Sequence, residues 1–195
     1  MEPRDLEKTI KKALSRERYC HSLGVKKVSQ KLASHYGEDE KKAEVAGLLH
    51  DYGKKHSPEE LLEIAFDMKI EISPIEKENP DLLHGPLGAL LVKKDLGIED
   101  KDIIEAIRFH TTGKASMGKL ACLVFLADYI EENRSYPGVE EIREAAFQDL
   151  EEGLLLALDQ TIRYVLDRGL LLHPDSVDFR NYILSGRDKI FKKGS

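Results

Sequence analysis

Cysteine is scarce in the 195-residue chain, and the two that it has, Cys20 and Cys122, lie far apart without a CxxC pair. Small disulfide-stapled proteins and thiolate zinc sites use several closely spaced cysteines. The sequence therefore argues against a disulfide framework and against a zinc site built from thiolates.

Long apolar runs are also missing. No run approaches the ~20 residues that a membrane-spanning helix requires. The N-terminal stretch MEPRDLEKTIKKAL is charged and amphipathic, and it lacks the apolar core of a secretion signal. We therefore expect a cytoplasmic protein without membrane association.

The chain lacks a net positive charge and the common phosphate-binding loops. Its formal net charge is −6, and its lysine doublets are interleaved with acidic residues. Nucleic-acid affinity depends on clustered basic residues, so we expect no nucleic-acid partner. Neither a GxxxxGK[ST] loop nor a GxGxxG turn occurs, which leaves P-loop and dinucleotide-binding folds without support. Small phosphorylated ligands remain compatible with this composition.

Helical periodicity dominates what is present. Apolar residues make up 41% and charged residues 34% of the chain, as in a globular protein. Because no segment alternates as a strand does, the sequence predicts an all-α fold in one domain over residues 1–195, with a frayed tail at 186–195. Ser57, Pro58 and Glu60 have the spacing of a capping box with a first-turn proline. Residues 71–80, with two prolines, are expected to form a surface loop.

His50 and Asp51 are adjacent at the end of an apolar helical stretch, AEVAGLLHDYGKK. We expect Gly53 to end that helix, which would place the pair in its last turn. Imidazole and carboxylate together suit iron, manganese, zinc or cobalt in an open site. Neighbouring helix positions point about 100° apart, so one ion can meet both side chains only beyond the helix end. Further ligands must come from elsewhere.

Two more polar residues have the spacing of core positions. His21 shares a helix face with Val25 and Leu32, and Asp128 follows Val124 at helical spacing. A histidine in such a place is often a core residue with a hydrogen-bonded partner. A buried carboxylate, in contrast, needs a cation or several hydrogen bonds, and a metal shared with His50 would meet that need.

His84 and His110 occupy predicted helix ends. His84 precedes a Gly-Pro helix start, and His110 follows Ile103 and Ile107 at inward spacing. Functional side chains gather at such ends, although a capping role explains either histidine alone. The ordered set is more informative than any member, because a site at the centre of a helical bundle requires ligands from separate helices.

This set resembles the HD-domain superfamily of metal-dependent phosphohydrolases, which combine an early histidine, a His-Asp pair and a distant aspartate. Several longer segments are similar to the YqeK-type family of bacterial HD proteins, implicated as symmetrical diadenosine tetraphosphate hydrolases. The segments are AGLLHDYGK, LLHG, HTTG, LADYIEENRSYPGVEEIR and DFRNYIL. The resemblance extends from about Arg18 to Leu184, and it implies an HD-domain helical bundle with the metal site at its centre, built from about residues 18–175.

The resemblance also implies residue roles. The metal ligands would be His21, His50, Asp51 and Asp128, holding one iron ion or two, with manganese, cobalt or zinc as substitutes. The catalytic residues would be Asp51, Lys54, His84 and His110. The substrate-binding residues would be His21, Lys54, His84, His110, Thr111, Arg134, Leu170, Leu171, Leu172, His173, Pro174 and Asp175.

The implied reaction is attack by metal-activated hydroxide on a central phosphorus of diadenosine tetraphosphate, which yields two ADP. Lys54 would contact phosphate as a point charge, and Arg134 could bind two oxygens. His84 and His110 could donate to phosphate, protonate the leaving ADP or hold a second ion with Asp51. Hydrolysis of a nucleoside di- or triphosphate, or a sensor that binds ADP, remains an alternative, and a homodimer is left open.

Overall fold

The computed structural model describes residues 3–186, which form a bundle of α-helices without a strand. This confirms the all-α prediction. Except for Gly186, the tail expected at 186–195 lies outside the described residues. No helix within the described part is long and apolar enough to cross a membrane.

The first half of the bundle contains six helices and two short 3-10 turns. They are α1 (Pro3–Ala13), α2 (Arg16–Tyr36), α3 (Glu40–Leu49), a 3-10 turn (Tyr52–Lys55), α4 (Pro58–Asp67), α5 (Pro74–Glu78), a second 3-10 turn (Pro80–Leu83) and α6 (His84–Leu96). The capping box of Ser57 and Glu60 is present at the start of α4, as predicted.

The second half contains five helices. They are α7 (Lys101–Phe109), α8 (Lys119–Ile130), α9 (Val139–Gln148), α10 (Leu150–Asp167) and α11 (Pro174–Leu184). Helix α8 lies at the centre and packs against α2, α3, α7, α9 and α10. Every residue from Leu120 to Ala127 is buried, so this helix is apolar on all sides. The first polar residue after this run is Asp128, which places a carboxylate at the end of the central helix.

The loop predicted for residues 71–80 is wrong in part, because it contains helix α5. Ser73 caps this helix by accepting a hydrogen bond from the backbone N–H of Glu76, and the Glu76 carboxylate binds the backbone of Ser73 in return. Pro74 occupies the first turn, where a missing N–H costs nothing. The two prolines therefore begin short helical elements instead of preventing them.

Gly53 does not end helix α3, contrary to expectation. The helix ends at Leu49, His50 follows as its C-cap, and Gly53 lies inside the 3-10 turn without a positive φ angle. Glycine is needed here for a different reason, since a Cβ atom at this position would collide with the backbone carbonyl of His84. Gly53 thus allows the turn that carries Asp51 to lie against the start of α6.

Candidate metal centre

Six side chains converge where several helices end. His50 follows α3, His84 begins α6, and His110 follows α7, so three imidazoles come from helix boundaries. His21 lies in the early turns of α2 and Asp128 near the end of α8. Together with Asp51 they form one group, called here the His/Asp cluster, which consists of His21, His50, Asp51, His84, His110 and Asp128.

Backbone carbonyls orient three of the imidazoles. Nδ1–H of His50 donates to the carbonyl of Gly47 at 2.8 Å, and that of His110 donates to Ile107 at 2.7 Å. His84 makes the equivalent bond to the carbonyl of Asp81. Each bond spans three residues and fixes both ring orientation and tautomer, which leaves Nε2 as a lone-pair donor facing the cluster.

The Nε2 atoms meet at distances that call for a positive charge between them. Nε2 of His84 lies 3.0 Å from Nε2 of His110, and Nε2 of His21 lies 3.2 Å from Nε2 of His50. Lone pairs that face each other this closely repel unless a proton or a cation lies between them. The donor set therefore fits a bound metal ion, with ligand atoms in three overlapping groups that each span no more than 4.8 Å.

Asp51 joins the two sides of the cluster. Its Oδ2 lies 3.7 Å from Nε2 of His50 and 4.0 Å from Nε2 of His21, whereas its Oδ1 lies 3.4 Å from His84 and 3.7 Å from His110. Burial raises the pKa of this carboxyl, but the surrounding imidazoles outweigh burial and hold the pKa well below its usual range. Asp51 is therefore an anion in the middle of the group.

His21 has a carboxylate at each ring nitrogen. Nε2 lies 2.9 Å from Oδ1 of Asp128, and Nδ1 lies 3.2 Å from Oε1 of Glu131. Burial lowers the pKa of His21, but the hydrogen bonds that its ring donates to these carboxylates raise the pKa above its ordinary value. Without a metal, His21 thus tends to carry the positive charge that the acceptor-rich cluster requires.

The other imidazoles have the opposite tendency. Burial lowers the pKa of His50 to about 4. Burial and the neighbouring His110 lower the pKa of His84 to about 3. His50 and His84 are consequently neutral near pH 7, the form in which imidazole binds a metal. Nitrogen and carboxylate donors in this proportion suit iron, manganese, cobalt or zinc better than calcium or magnesium.

The profile of the HD domain matches residues 18–133, which include all six residues of the cluster. The chain belongs to the HD-domain family. HD domains are metal-dependent, and the convergent His/Asp donors of this chain could bind the metal. The predicted resemblance and the HD-domain bundle are therefore confirmed.

Relatives with known names cover almost the whole chain. A Bacillus subtilis protein is 38% identical over 91% of this chain and 95% of its own length. A protein from Halalkalibacterium halodurans is 40% identical over 90% of this chain and 93% of its own length. Both are named symmetrical bis(5'-nucleosyl)-tetraphosphatase. A crystal structure from Clostridium acetobutylicum, described as a "predicted HD superfamily hydrolase involved in NAD metabolism", superposes with a TM-score of 0.91 at 41% identity, covering 95% of this chain and 98% of that one.

Three residues predicted to contact substrate adjoin the His/Asp cluster. The Thr111 hydroxyl lies within 3.1 Å of Nε2 of His84 and 3.0 Å of Nε2 of His110. The Arg134 guanidinium donates to the Asp128 carbonyl and lies 2.5 Å from its Oδ1. Lys54 binds Asp81 at 2.5 Å, and the carbonyl of Asp81 orients His84. Lys54 is therefore not a freely solvated surface lysine, since its side chain is 13% exposed.

The second half of the predicted segment at residues 170–175 lies near Thr111. His173 caps α11 by accepting a hydrogen bond from the backbone N–H of Asp175. Both residues line a cavity of about 70 Å³, and Thr111 lies in the same wall. The first half behaves differently, since Leu170 and Leu171 are exposed. Leu172 is half-buried, and Pro174 is exposed in the first turn of α11.

The structure adds two residues that the sequence analysis missed. Arg18 donates to Oδ2 of Asp51 at 2.9 Å, and the buried Glu131 accepts from His21. The sequence spacing could have indicated both residues, because Arg18 lies three positions before His21, and Glu131 lies three positions after Asp128. Glu131 also accepts from the backbone N–H and the side chain of Asn133, so its carboxylate is held rigidly behind His21.

Proposed function

We propose that this chain is a metal-dependent hydrolase that cleaves diadenosine tetraphosphate symmetrically into two ADP. The observation that carries the proposal is the convergence of lone-pair nitrogens and carboxylates in a chain whose relatives, covered over almost their full length, are named for this reaction. Arg134 and Lys54 supply positive charges that complement the negative charge of the substrate phosphates.

The metal ligands in this proposal are His21, His50, Asp51 and Asp128, with iron as the ion and manganese, cobalt or zinc as substitutes. A metal ion held there would activate a water molecule as nucleophile and neutralise phosphate charge. Glu131 supports this role for His21, because a carboxylate behind a ligating imidazole fixes its tautomer and strengthens it as a ligand.

Substrate phosphates would lie against the cationic groups beside the cluster. The Arg134 guanidinium is 38% exposed and remains accessible although it binds Asp128. It can present two parallel N–H groups to a phosphate, which a lysine cannot. Lys54 adds a compact charge on the His84 side, where it is already fixed by Asp81. These two cations border the cluster from different sides and would hold a phosphate chain across it.

His84 and His110 would act through their unprotonated Nε2 atoms. Because Nδ1–H of each ring donates to a backbone carbonyl and the pKa of His84 is about 3, these rings present acceptors to the site. This favours roles as ligands of a second ion with Asp51, or as acceptors for a proton from water, over donation to phosphate. The Thr111 hydroxyl, which lies within 3.1 Å of Nε2 of His84 and 3.0 Å of Nε2 of His110, is a donor on this side in addition to Lys54.

Product analysis tests the proposal directly. Protein purified without oxygen is loaded with Fe(II) or Mn(II), incubated with diadenosine tetraphosphate, and the nucleotides are separated by chromatography. ADP as the only product is expected. AMP together with ATP would contradict symmetrical cleavage, and tight ADP binding without turnover would favour the sensor alternative. Nucleoside di- and triphosphates in parallel reactions test the remaining alternative, and metal analysis of the same samples identifies the ion.

A further inference from the structure

A second, larger cavity adjoins the His/Asp cluster at Asp128. It has a volume of about 400 Å³, and its walls include Tyr129, Tyr136 and Tyr164 in addition to Asp128 and Arg134. Sites for small molecules combine a mostly apolar concave surface with a few polar groups and occupy roughly 300–1,000 Å³. The cavity beside Thr111, at about 70 Å³, is far below that range. We call the larger one the tyrosine cavity.

The tyrosine cavity is rigid on one side and open on the other. The Tyr129 hydroxyl lies 2.6 Å from the hydroxyl of Thr161, and Tyr136 donates to the carbonyl of Tyr129 at 2.8 Å. These bonds fix the orientation of both rings against the bundle. Tyr164 lies at the rim, 53% exposed, and Arg168 stacks on its ring with Cζ 4.4 Å from the centroid.

Flat aromatic ligands suit such walls. Nucleobases stack on tyrosine regardless of their identity, because every base has a π-face. Gln160 also lines the cavity, and its amide donates to the carbonyl of Pro137, so its side chain is held in place. The amide oxygen of Gln160 can accept a hydrogen bond from a base edge or a ribose hydroxyl.

Arg134 links the tyrosine cavity to the cluster. The residue lines the cavity while its guanidinium binds Asp128, whose Oδ1 lies 2.9 Å from Nε2 of His21. A ligand in the cavity would therefore have a cation and the metal ligands at one end, and aromatic rings at the other. This is the charge distribution of a nucleotide, with phosphates at one end and a base at the other.

We infer that the tyrosine cavity binds the base and ribose of one nucleoside of the substrate, with Tyr164 as the stacking residue and Arg134 against the adjoining phosphates. The inference rests on the proposed function, because a dinucleoside substrate needs two nucleoside positions. Thr111 borders the cluster at His84 and His110 and shares the small cavity with His173 and Asp175, whereas the tyrosine cavity borders the cluster at Asp128. The two halves of a symmetrical substrate thus have separate binding sites.

Kinetics of two Tyr164 variants test the stacking role. Tyr164→Ala removes the ring from a half-exposed position, so the fold should persist, and thermal unfolding checks this. We expect the KM for diadenosine tetraphosphate to rise roughly 5- to 150-fold, the range that loss of one base–aromatic stack produces, with little change in kcat. Tyr164→Phe keeps the ring, so its KM should lie well below that of Tyr164→Ala. An unchanged KM in Tyr164→Ala would overturn the inference.

Photolabelling separates this inference from the proposed function, because it needs no turnover. Metal-loaded protein is irradiated with 8-azido-ADP, and the labelled peptides are identified by mass spectrometry. We expect labelling at Tyr129, Tyr136 or Tyr164, suppressed by excess ADP and reduced in Tyr164→Ala. Labelling confined to other segments would exclude the tyrosine cavity even if hydrolysis is normal. Labelling at these tyrosines without hydrolysis would instead reject the proposed function and keep the nucleoside site.

Discussion

The two sides of the His/Asp cluster differ in what surrounds their imidazoles. On one side, the carboxylate flank, His21 is bracketed by Asp128 and Glu131. On the other side, the imidazole flank, His84 and His110 face each other, with a hydroxyl from Thr111 and one carboxylate oxygen from Asp51. The first flank brings carboxylate oxygens together, and the second brings imidazole nitrogens together.

This difference indicates where a cation is held most strongly. A metal gains more from anionic oxygens than from neutral nitrogens, and the burial of Asp51 and Glu131 keeps water from screening their charge. The imidazole flank offers weaker attraction, but burial and the neighbouring His110 lower the pKa of His84 to about 3, so His84 stays neutral at neutral pH. We therefore expect the carboxylate flank to hold the metal and the imidazole flank to act on substrate, water or a second ion.

Asp51 belongs to both flanks, so its replacement should have the largest effect. Asp51→Asn keeps the shape of the side chain and removes its charge. We expect loss of bound metal and no detectable hydrolysis, measured by elemental analysis and by ADP formation. Asp95→Asn serves as the control, because Asp95 binds Lys55 and Tyr52 away from the cluster. Normal turnover in Asp51→Asn would show that the proposed site is wrong.

Matched histidine variants separate the flanks. His21→Asn should lose most of its metal, whereas His84→Asn should retain at least one ion and lose about 10²- to 10⁴-fold in kcat, the usual contribution of a positioned acid–base group. Metal content per chain and kcat are measured on the same preparations. If His84→Asn is free of metal while His21→Asn keeps it, the assignment of the flanks must be reversed.

The sequence predicts the positions of some residues in the two flanks better than those of others. Helical spacing places His21 and Asp128 on inward faces, because a helix fixes the direction of each side chain from its position alone. The His50-Asp51 pair and the terminal positions of His84 and His110 follow from local signals of helix ends. The structure brings all six together, while their roles as ligands stay a prediction.

Contacts between helices could not be predicted from the sequence in the same way. Glu131 meets His21 across the packing of α8 on α2, where a Cβ atom on Gly24 would collide with the Glu131 carboxylate. Spacing can show that Gly24 and Glu131 face inward, but not that they face each other. The tyrosine cavity likewise forms only by packing of helices, because Tyr129 and Tyr164 come from helices that are distant in sequence. Such contacts depend on tertiary packing.

Glu131→Gln should have an intermediate effect. Glutamine can still accept a hydrogen bond from Nδ1 of His21 but carries no charge, so His21 becomes a weaker ligand. We expect metal affinity to fall about 10- to 100-fold, as is typical when the partner of a ligating histidine is replaced. With saturating metal, kcat should return towards that of the wild type.

Glu132→Gln is the matched control, since Glu132 is exposed and pairs with Lys27. Equal metal affinity in both variants would contradict a positioning role for Glu131.

The smallest effect is a difference in proton affinity between the flanks, measurable in the metal-free protein by NMR titration of the histidine rings. As the pH falls, His21 should take up a proton above its ordinary pKa of 6.5, because Asp128 and Glu131 raise its pKa although burial opposes them. His50 and His84 should stay neutral until about pH 4 and pH 3. Glu131→Gln removes one of the two carboxylates, so it should shift the titration of His21 to lower pH and leave that of His84 unchanged. If His84 takes up its proton at a higher pH than His21 does, the predicted difference between the two flanks is wrong.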